Sequence, residues 1–196
     1  MSMSFKLKQH EWLAEVGKIA ASSSSPAEKI EAVKLLYKRI DSFIKDAGDK
    51  IIVDELTGFI NQPFLGQFLD KRFLEADDFG EDISVVVFEI KLFDIFWDGF
   101  GDLEAARAIS KIASVIEDSI RDNDLVCRFE TNKFVLILPD THETQALRIA
   151  ETIALKSKEI NFEKNDHLEL VYGIASKSDG ANTSDGLFEA ALAGLN

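Results

Sequence analysis

Arg121 and Asp124 are the residues whose types and spacing most clearly could do chemistry together. They lie three positions apart at the predicted end of a helix. The arginine offers a planar fork of N–H donors, and the aspartate offers carboxylate oxygens as acceptors. Such a pair can bind a planar molecule through charge-assisted hydrogen bonds worth on the order of 1.5–3 kcal/mol each. An exposed ion pair at a helix end is the simpler interpretation of the same two residues.

The spacing of this pair is weak evidence without its context. With six arginines and 18 aspartates in 196 residues, about half of one Arg-x-x-Asp pair is expected by chance, and the chain has one. Residues 121–140 predict a helix end, a strand, a tight hairpin turn and a second, almost wholly apolar strand. The turn is Glu130-Thr131-Asn132-Lys133-Phe134.

The elements around this hairpin predict an α/β fold, a central mixed β-sheet flanked by helices. The continuous apolar run at residues 83–90 is typical of a strand that is buried on both faces. Helical spacing of apolar residues follows at 105–120, at 142–158 and, more briefly, at 187–195. A last strand is predicted at 168–175. This order of strands and helices is typical of a sheet covered by helices.

The N-terminal residues predict a separate helical extension. Ser25, Pro26 and Glu28 form a helix start with a capping box, and apolar residues then recur at heptad spacing up to Ala47. This helix could pack on its own domain, or its seam could bind a second subunit or another protein. We therefore divide the chain into an extension at 1–50 and a domain at 51–196.

Composition excludes several classes of function. The formal net charge of −13 argues against binding a nucleic acid polymer, which requires clustered Lys and Arg. Cys127 is the only cysteine, so no disulfide can form within the chain and a reducing compartment is expected. No apolar segment approaches 18 residues and no signal pattern opens the chain, which predicts a cytoplasmic protein without membrane insertion.

Residues 54–61, Asp-Glu-Leu-Thr-Gly-Phe-Ile-Asn, are similar to the D-x-L-T-G-L-x-N opening of GGDEF domains. Together with the hairpin, they make residues 54–195 resemble this family of diguanylate cyclases, which implies its nucleotide cyclase-like palm fold. In the family an Arg-x-x-Asp motif five residues before the GGDEF signature binds the product, cyclic di-GMP. The resemblance therefore implies that Arg121 and Asp124 bind guanine. A further family arginine aligns with Thr152, and Arg148, one turn earlier on the same helix face, could replace it.

The same resemblance predicts that the cyclase active site is lost. Of the two acidic groups that hold GTP and metal in the family, one is retained as Glu89 and the other is Asn132. Lys133 replaces an acidic residue that is implicated in activating the attacking hydroxyl. Further family contacts to phosphate and guanine align with Glu130, Thr131, Asp94, Trp97 and Ala106. We therefore expect no enzyme activity, no catalytic residue and no metal, with Trp97 and the nearby phenylalanines Phe93, Phe96 and Phe100 filling the emptied cleft.

The resulting hypothesis is an inactive GGDEF-domain protein that binds cyclic di-GMP and signals through protein contacts of its N-terminal helices. A scaffold that binds no nucleotide is the alternative, and a residual cyclase is a third possibility. Asp54 and Arg128 are expected to form a structural ion pair, and Cys127 to pack in the core as a small hydrophobe.

Overall fold

This computed structural model describes residues 52–160 and 168–195, together with Ser25, Lys29 and Lys34. The chain divides into two units between Val53 and Asp54. The helix predicted from Ser25 to Ala47 lies outside the described residues, apart from those three, so the predicted extension at 1–50 stays a prediction.

A five-stranded mixed sheet forms the centre of the second unit, as predicted. Its strands are β1 (Ile60–Asn61), β2 (Ile83–Ile90), β3 (Leu125–Glu130), β4 (Lys133–Pro139) and β5 (Leu170–Ser176), in the order β1-β3-β4-β2-β5. β1 is parallel to β3, whereas β2 pairs antiparallel with both β4 and β5, and β3 pairs antiparallel with β4.

Helices cover both faces of the sheet. On one face lie α2 (Phe93–Glu117) and α3 (Glu143–Lys158), and on the other lie α1 (Leu65–Phe79) and α4 (Ser184–Ala193). Alternate residues of β2 enter the two cores: Val86 and Phe88 face α2 and α3, while Val85 and Val87 face α1 and α4. The prediction that residues 83–90 form a strand buried on both faces is confirmed.

Helix α2 begins 12 residues before the predicted start at residue 105. Its N-terminal part is separated from the rest by Gly101, whose φ of 80° and ψ of 177° break the helical backbone. This break shifts the apolar periodicity, because residues on either side of it no longer lie on one continuous helical face. Only the residues after Gly101 show the regular helical spacing of apolar residues in the sequence. Among the described residues, no helix combines the length and the apolar character needed to cross a membrane.

A polar cluster centred on the buried Asp82 joins three segments at the end of the sheet where β2 begins. Asp82 accepts hydrogen bonds from the backbone of Ile83 and from both the N–H and the hydroxyl of Ser178, and its Oδ2 lies 2.8 Å from His142 Nδ1. Beside it, the Ser84 hydroxyl donates to the Thr141 carbonyl at 2.7 Å. The cluster fixes the start of α3, because His142 is the residue that caps this helix.

Candidate functional site

Arg121 and Asp124 close a short turn between α2 and β3. The Arg121 backbone N–H donates to Asp124 Oδ2 at 2.8 Å, and the Asp124 N–H donates to the Arg121 carbonyl at 3.1 Å. The three-residue spacing is therefore the spacing at which this turn closes on itself. Within the part of the chain that the structure describes, Asp124 Oδ1 and the Arg121 guanidinium make no hydrogen bond.

The two side chains differ in exposure. Arg121 is exposed, whereas Asp124 retains only 3% of its accessible surface. Burial raises the pKa of Asp124, and the hydrogen bond from Arg121 N–H and the positive charge of Arg121 only partly oppose that effect. The turn can thus offer an exposed fork of donors beside one enclosed acceptor oxygen. One of the two aspartate oxygens is already bonded, so a ligand meets a single free oxygen rather than a whole carboxylate.

Arg148 lies on α3 with its side chain exposed. No hydrogen bond or ion pair joins that side chain to Arg121 or Asp124, and its carbonyl accepts from Thr152 Oγ1 at 2.7 Å. Its role as a helper therefore stays a prediction. The structure instead brings Lys156 of the same helix to the α2–β3 loop, where Lys156 Nζ donates to Ser119 Oγ at 3.1 Å. In the sequence, Lys156 stands one helical turn after Thr152, on the same face of the helix.

The hairpin turn lies at the opposite end of β3. Thr131 and Asn132 connect β3 to β4, and Lys133 forms an ion pair with Glu130 across the turn. The turn is tied to the end of β2, because Ile90 N–H donates to the Asn132 carbonyl at 2.9 Å and Asn132 Nδ2 donates to the Ile90 carbonyl at 3.1 Å. At about 3.3 Å per residue, β3 separates this turn from the Arg121 turn by roughly 20 Å.

A cleft of about 650 Å³ opens beside the hairpin turn, lined by residues that include Asn61, Gln62, Asp94, Thr131 and Asn132. Asp54 and Arg128 also line it and form the predicted ion pair, with Arg128 Nη1 donating at 3.0 and 2.9 Å to the two carboxylate oxygens. Burial on its own would raise the pKa of Asp54, but hydrogen bonds from Thr57 and Arg128 outweigh it and lower that pKa. The pair holds the segment before β1 against β3.

The prediction that aromatic residues fill this cleft is wrong. Phe93 and Phe96 are buried in the core between the sheet and α2, and Trp97 is 37% exposed with its Nε1 donating to Asp102 Oδ1 at 2.7 Å. Asp94 is the residue of this segment that lines the cleft. The aromatic side chains turn into the core because the helix begins at Phe93 and places them on its inner face.

Cys127 is buried in the second core, as predicted. Burial raises the pKa of its thiol to about 12. A thiol that stays protonated at neutral pH is a poor nucleophile and a poor metal ligand, so Cys127 acts as a small apolar side chain.

Comparison with known proteins supports the resemblance to GGDEF domains over most of the second unit. Residues 51–195 match the family model described as diguanylate cyclase, GGDEF domain. The response regulator PleD of Caulobacter vibrioides is 30% identical over 146 residues, which cover 71% of this chain and 32% of that protein. The diguanylate cyclase DgcP of Pseudomonas aeruginosa is 28% identical over 114 residues, 58% of this chain and 17% of that protein. The chain thus spans about a third of PleD and less of DgcP.

Solved structures share the fold. The GGDEF domain of DgcB from Caulobacter crescentus, in complex with c-di-GMP, superposes with a TM-score of 0.68 at 23% identity, covering 74% of this chain and 85% of that chain. The active GGEEF domain of a diguanylate cyclase from Vibrio cholerae superposes with a TM-score of 0.66 at 24% identity, covering 69% of this chain and 87% of that chain.

The prediction that the chain is not an enzyme was wrong. The matching family is one of enzymes, and relatives of this chain, DgcP and DosC of Escherichia coli among them, are named diguanylate cyclases. The prediction was based on the combined replacement of the residues that contact metal, phosphate and guanine in the family. Backbone carbonyl and amide oxygens are also ligands for hard cations, so the exchange of one carboxylate for Asn132 does not by itself abolish such a site. The cleft beside the turn also stays open.

The strand order, the hairpin and the Asp54–Arg128 pair all lie within the matched range of residues 51–195. This range is most of the chain, and PleD is 30% identical over 146 residues. The chain therefore belongs to the family of diguanylate cyclase GGDEF domains.

Proposed function

We propose that this protein takes part in cyclic di-GMP signalling by binding the dinucleotide at Arg121 and Asp124. The observation that carries the proposal is the closed turn between them. It places an exposed guanidinium, without a hydrogen bond to any described residue, beside a nearly buried carboxylate that keeps one oxygen free. The GGDEF domain of DgcB, which has the same fold, was solved in complex with c-di-GMP, and this adds support.

The donors and acceptors of guanine match this turn. The Arg121 fork donates to the O6 and N7 acceptors on one edge of the base, as arginine does in other guanine contacts. Asp124 Oδ1 accepts from the N1–H or N2–H donors on the other edge. Because Asp124 is nearly enclosed, this charge-assisted hydrogen bond forms where competition from water is weak. Arg148 would contact a second base or a phosphate.

Calorimetric titration with cyclic di-GMP tests the proposal. We expect micromolar or tighter binding by the natural sequence, and at least a tenfold loss with Arg121→Ala, the equivalent of about 1.4 kcal/mol or more. Arg107→Ala is the matched control, because Arg107 is exposed on α2 and already paired with Glu104. Cyclic di-AMP should not bind, since adenine presents an amino donor where guanine presents O6. Absence of heat with the natural sequence would refute the proposal.

Binding at this turn requires no metal, because the arginine and the aspartate contact the base directly. Titration in the presence of EDTA should therefore give the same affinity as titration with magnesium. An affinity that collapses on chelation would place the ligand at another site. Arg148→Ala, measured in the same series, tests the predicted helper: a loss of affinity or of one ligand equivalent supports its role.

The N-terminal 50 residues would pass the signal to a second subunit or to another protein. The heptad spacing of Val33, Tyr37, Ile40 and Ile44 supports this part of the proposal. So does a solved structure of the coiled coil and GGDEF domain of DgcB, which covers 87% of this chain at 20% identity with a TM-score of 0.72. Tyr37→Glu with Ile40→Glu should abolish self-association in light scattering or partner capture in a pull-down.

The alternative is a scaffold that binds partners without nucleotide. A pull-down that does not change with cyclic di-GMP or with Arg121→Ala would favour it. Partner capture that depends on the dinucleotide and on Arg121 would exclude it.

Diguanylate cyclase activity is the second candidate function, favoured by the open cleft beside the hairpin turn. Oxygen donors among its lining residues include the carboxylate of Asp94 and the amide of Asn132. Glu89, the retained acidic residue near the end of β2, is not one of the residues that line the cleft. Incubation with GTP and magnesium, followed by chromatography for cyclic di-GMP, tests this candidate. Arg121→Ala is expected to leave the initial rate unchanged, because Arg121 lies at the other end of β3.

A further inference from the structure

Lys156 contacts the loop that carries Arg121, and this contact does little for the stability of the protein. It lies in the last turn of α3, and its Nζ reaches the α2–β3 loop at Ser119 Oγ, two residues before Arg121. Ser119 does not require this contact, since its own hydroxyl donates to the Val115 carbonyl at 2.7 Å. A hydrogen bond between an exposed lysine and a neutral hydroxyl contributes little to stability.

Lys156 forms no ion pair with any carboxylate that the structure describes, whereas Lys158, two residues further along the helix, lies 4.0 Å from Glu169. An ammonium group has three donors, so the bond to Ser119 leaves two of them available. Lys156 therefore presents a positive charge and two free donors to a ligand that binds at the loop carrying Arg121.

The surroundings make such a cation useful. Asp118 and Asp122 are exposed in the same loop, and the chain as a whole has a net charge of −13. An anionic ligand that approaches Arg121 is repelled by these carboxylates, so one guanidinium, already committed to the base edge, provides little net attraction for a phosphate. A second cation, held at the same loop by a separate element, adds to the attraction for a phosphate.

We infer that Lys156 binds a phosphate of the cyclic dinucleotide whose guanine is bound by Arg121 and Asp124, an inference that rests on the proposed function. α3 supplies the ammonium and the α2–β3 loop supplies the guanidinium, so the site is assembled from two elements. Ser119 positions the ammonium. Lysine suits this role, because it binds phosphate as a compact point charge without the planar geometry that base recognition requires.

Three variants test the inference by calorimetric titration with cyclic di-GMP. Lys156→Gln keeps a donor for Ser119 and a good helix former but removes the charge, and we expect about a tenfold weaker affinity, the effect of one charge-assisted hydrogen bond. Lys156→Arg keeps the charge and should retain most of the affinity. Lys158→Gln removes a lysine of the same helix turn that faces Glu169, and should bind as the natural sequence does.

Salt dependence separates a phosphate contact from a merely structural role. Raising the salt concentration from about 0.05 M to about 0.5 M screens the lysine–phosphate attraction, so the affinity of Lys156→Gln should change less with salt than that of the natural sequence. Melting temperatures of all variants should agree within about one degree, because each substitution affects only an exposed hydrogen bond or ion pair. Equal affinity and equal salt dependence of Lys156→Gln and the natural sequence would overturn the inference, with the proposed function intact. Absence of binding by the natural sequence would overturn both.

Discussion

At the scale of single residues, folding stability and the proposed ligand binding place opposite requirements on Asp124. Burial raises the pKa of its carboxyl above the ordinary value, although the Arg121 N–H and the Arg121 charge act in the other direction. A carboxyl whose pKa is raised on folding favours the folded state while it is protonated, and that contribution is lost as pH rises through the raised pKa. At neutral pH the ionised Asp124 therefore costs stability.

The variant Asp124→Asn should separate the two effects. The amide oxygen can still accept from Arg121 N–H, while the buried charge is gone, so we expect a melting temperature at pH 7 equal to or above that of the natural sequence. The advantage should shrink as pH falls and the natural carboxyl becomes protonated. Cyclic di-GMP affinity should fall about tenfold or more, because a charged acceptor is replaced by a neutral one. Scanning calorimetry measures the melting temperature. A marked fall for Asp124→Asn at pH 7 would contradict this account of Asp124.

At the scale of elements, Asp82 joins the start of β2 to the loops that precede α3 and follow β5. Burial alone would raise the pKa of Asp82, but hydrogen bonds from Ser178 and His142 outweigh it and lower that pKa. The ionised carboxylate therefore stabilises the fold. Its contribution is complete above the ordinary value of 3.8 and is lost as pH falls through the lowered pKa.

We expect Asp82→Ala to reduce the free energy of unfolding at pH 7 by about 1–2 kcal/mol, because the buried Ile83 N–H and the partly exposed donors of Ser178 and His142 lose their acceptor. Urea denaturation measures this loss. The difference from the natural sequence should diminish as pH falls below the ordinary carboxyl value of 3.8 and through the lowered pKa of Asp82. Asp78→Ala, at an exposed position of α1, is the control and should stay within about 0.5 kcal/mol.

A second contact between elements fixes α4 against β5. A Cβ on Gly173 would lie 2.1 Å from the Ala191 carbonyl oxygen and 2.6 Å from Gly194 C, so no side chain fits between the strand and the end of the helix. Gly173→Ala should lower the free energy of unfolding by about 1–3 kcal/mol through forced displacement of α4. Gly66→Ala on α1 meets nothing within 4 Å and should be neutral or slightly stabilising. Equal stability of the two variants in urea would show that α4 moves freely.

At the scale of the whole molecule, the two candidate sites lie at opposite ends of β3, with the Arg121 turn before Leu125 and the cleft beside Asn132. The strand between them is buried at Leu125, Val126 and Cys127 and pairs on both sides, so it forms a rigid spacer. Each site can therefore be altered without removing the residues of the other.

Thermal unfolding with ligand tests this independence. A ligand at a hundred times its Kd stabilises the folded state by about 2.7 kcal/mol, which for a chain of this size raises the melting temperature by roughly 5–10 °C. Cyclic di-GMP should produce such a shift in the natural sequence and in Asp94→Ala, which alters the cleft, but not in Arg121→Ala. A shift that survives Arg121→Ala and disappears with Asp94→Ala would move the ligand to the cleft.

The sequence by itself was sufficient for features that depend on local patterns. The apolar run at residues 83–90 predicted a strand buried on both faces, because such a strand needs apolar residues at every position. Helical spacing located α3 to within a residue or two. The Asp54–Arg128 pair followed from the family resemblance, and the structure contains it. The helix before Gly101 was missed because a single backbone break removes the continuous periodicity on which the prediction depends.

Only the tertiary structure decided features that depend on contacts between distant residues. It showed that Lys156 reaches Ser119, 37 positions away, and that one oxygen of Asp124 is occupied by the turn itself. It also showed that the cleft stays open, whereas comparison of side chains one by one had predicted that aromatic residues fill it. Residue types state which bonds are possible, but the path of the backbone fixes which atoms meet, and that path is set by the packing of the whole domain.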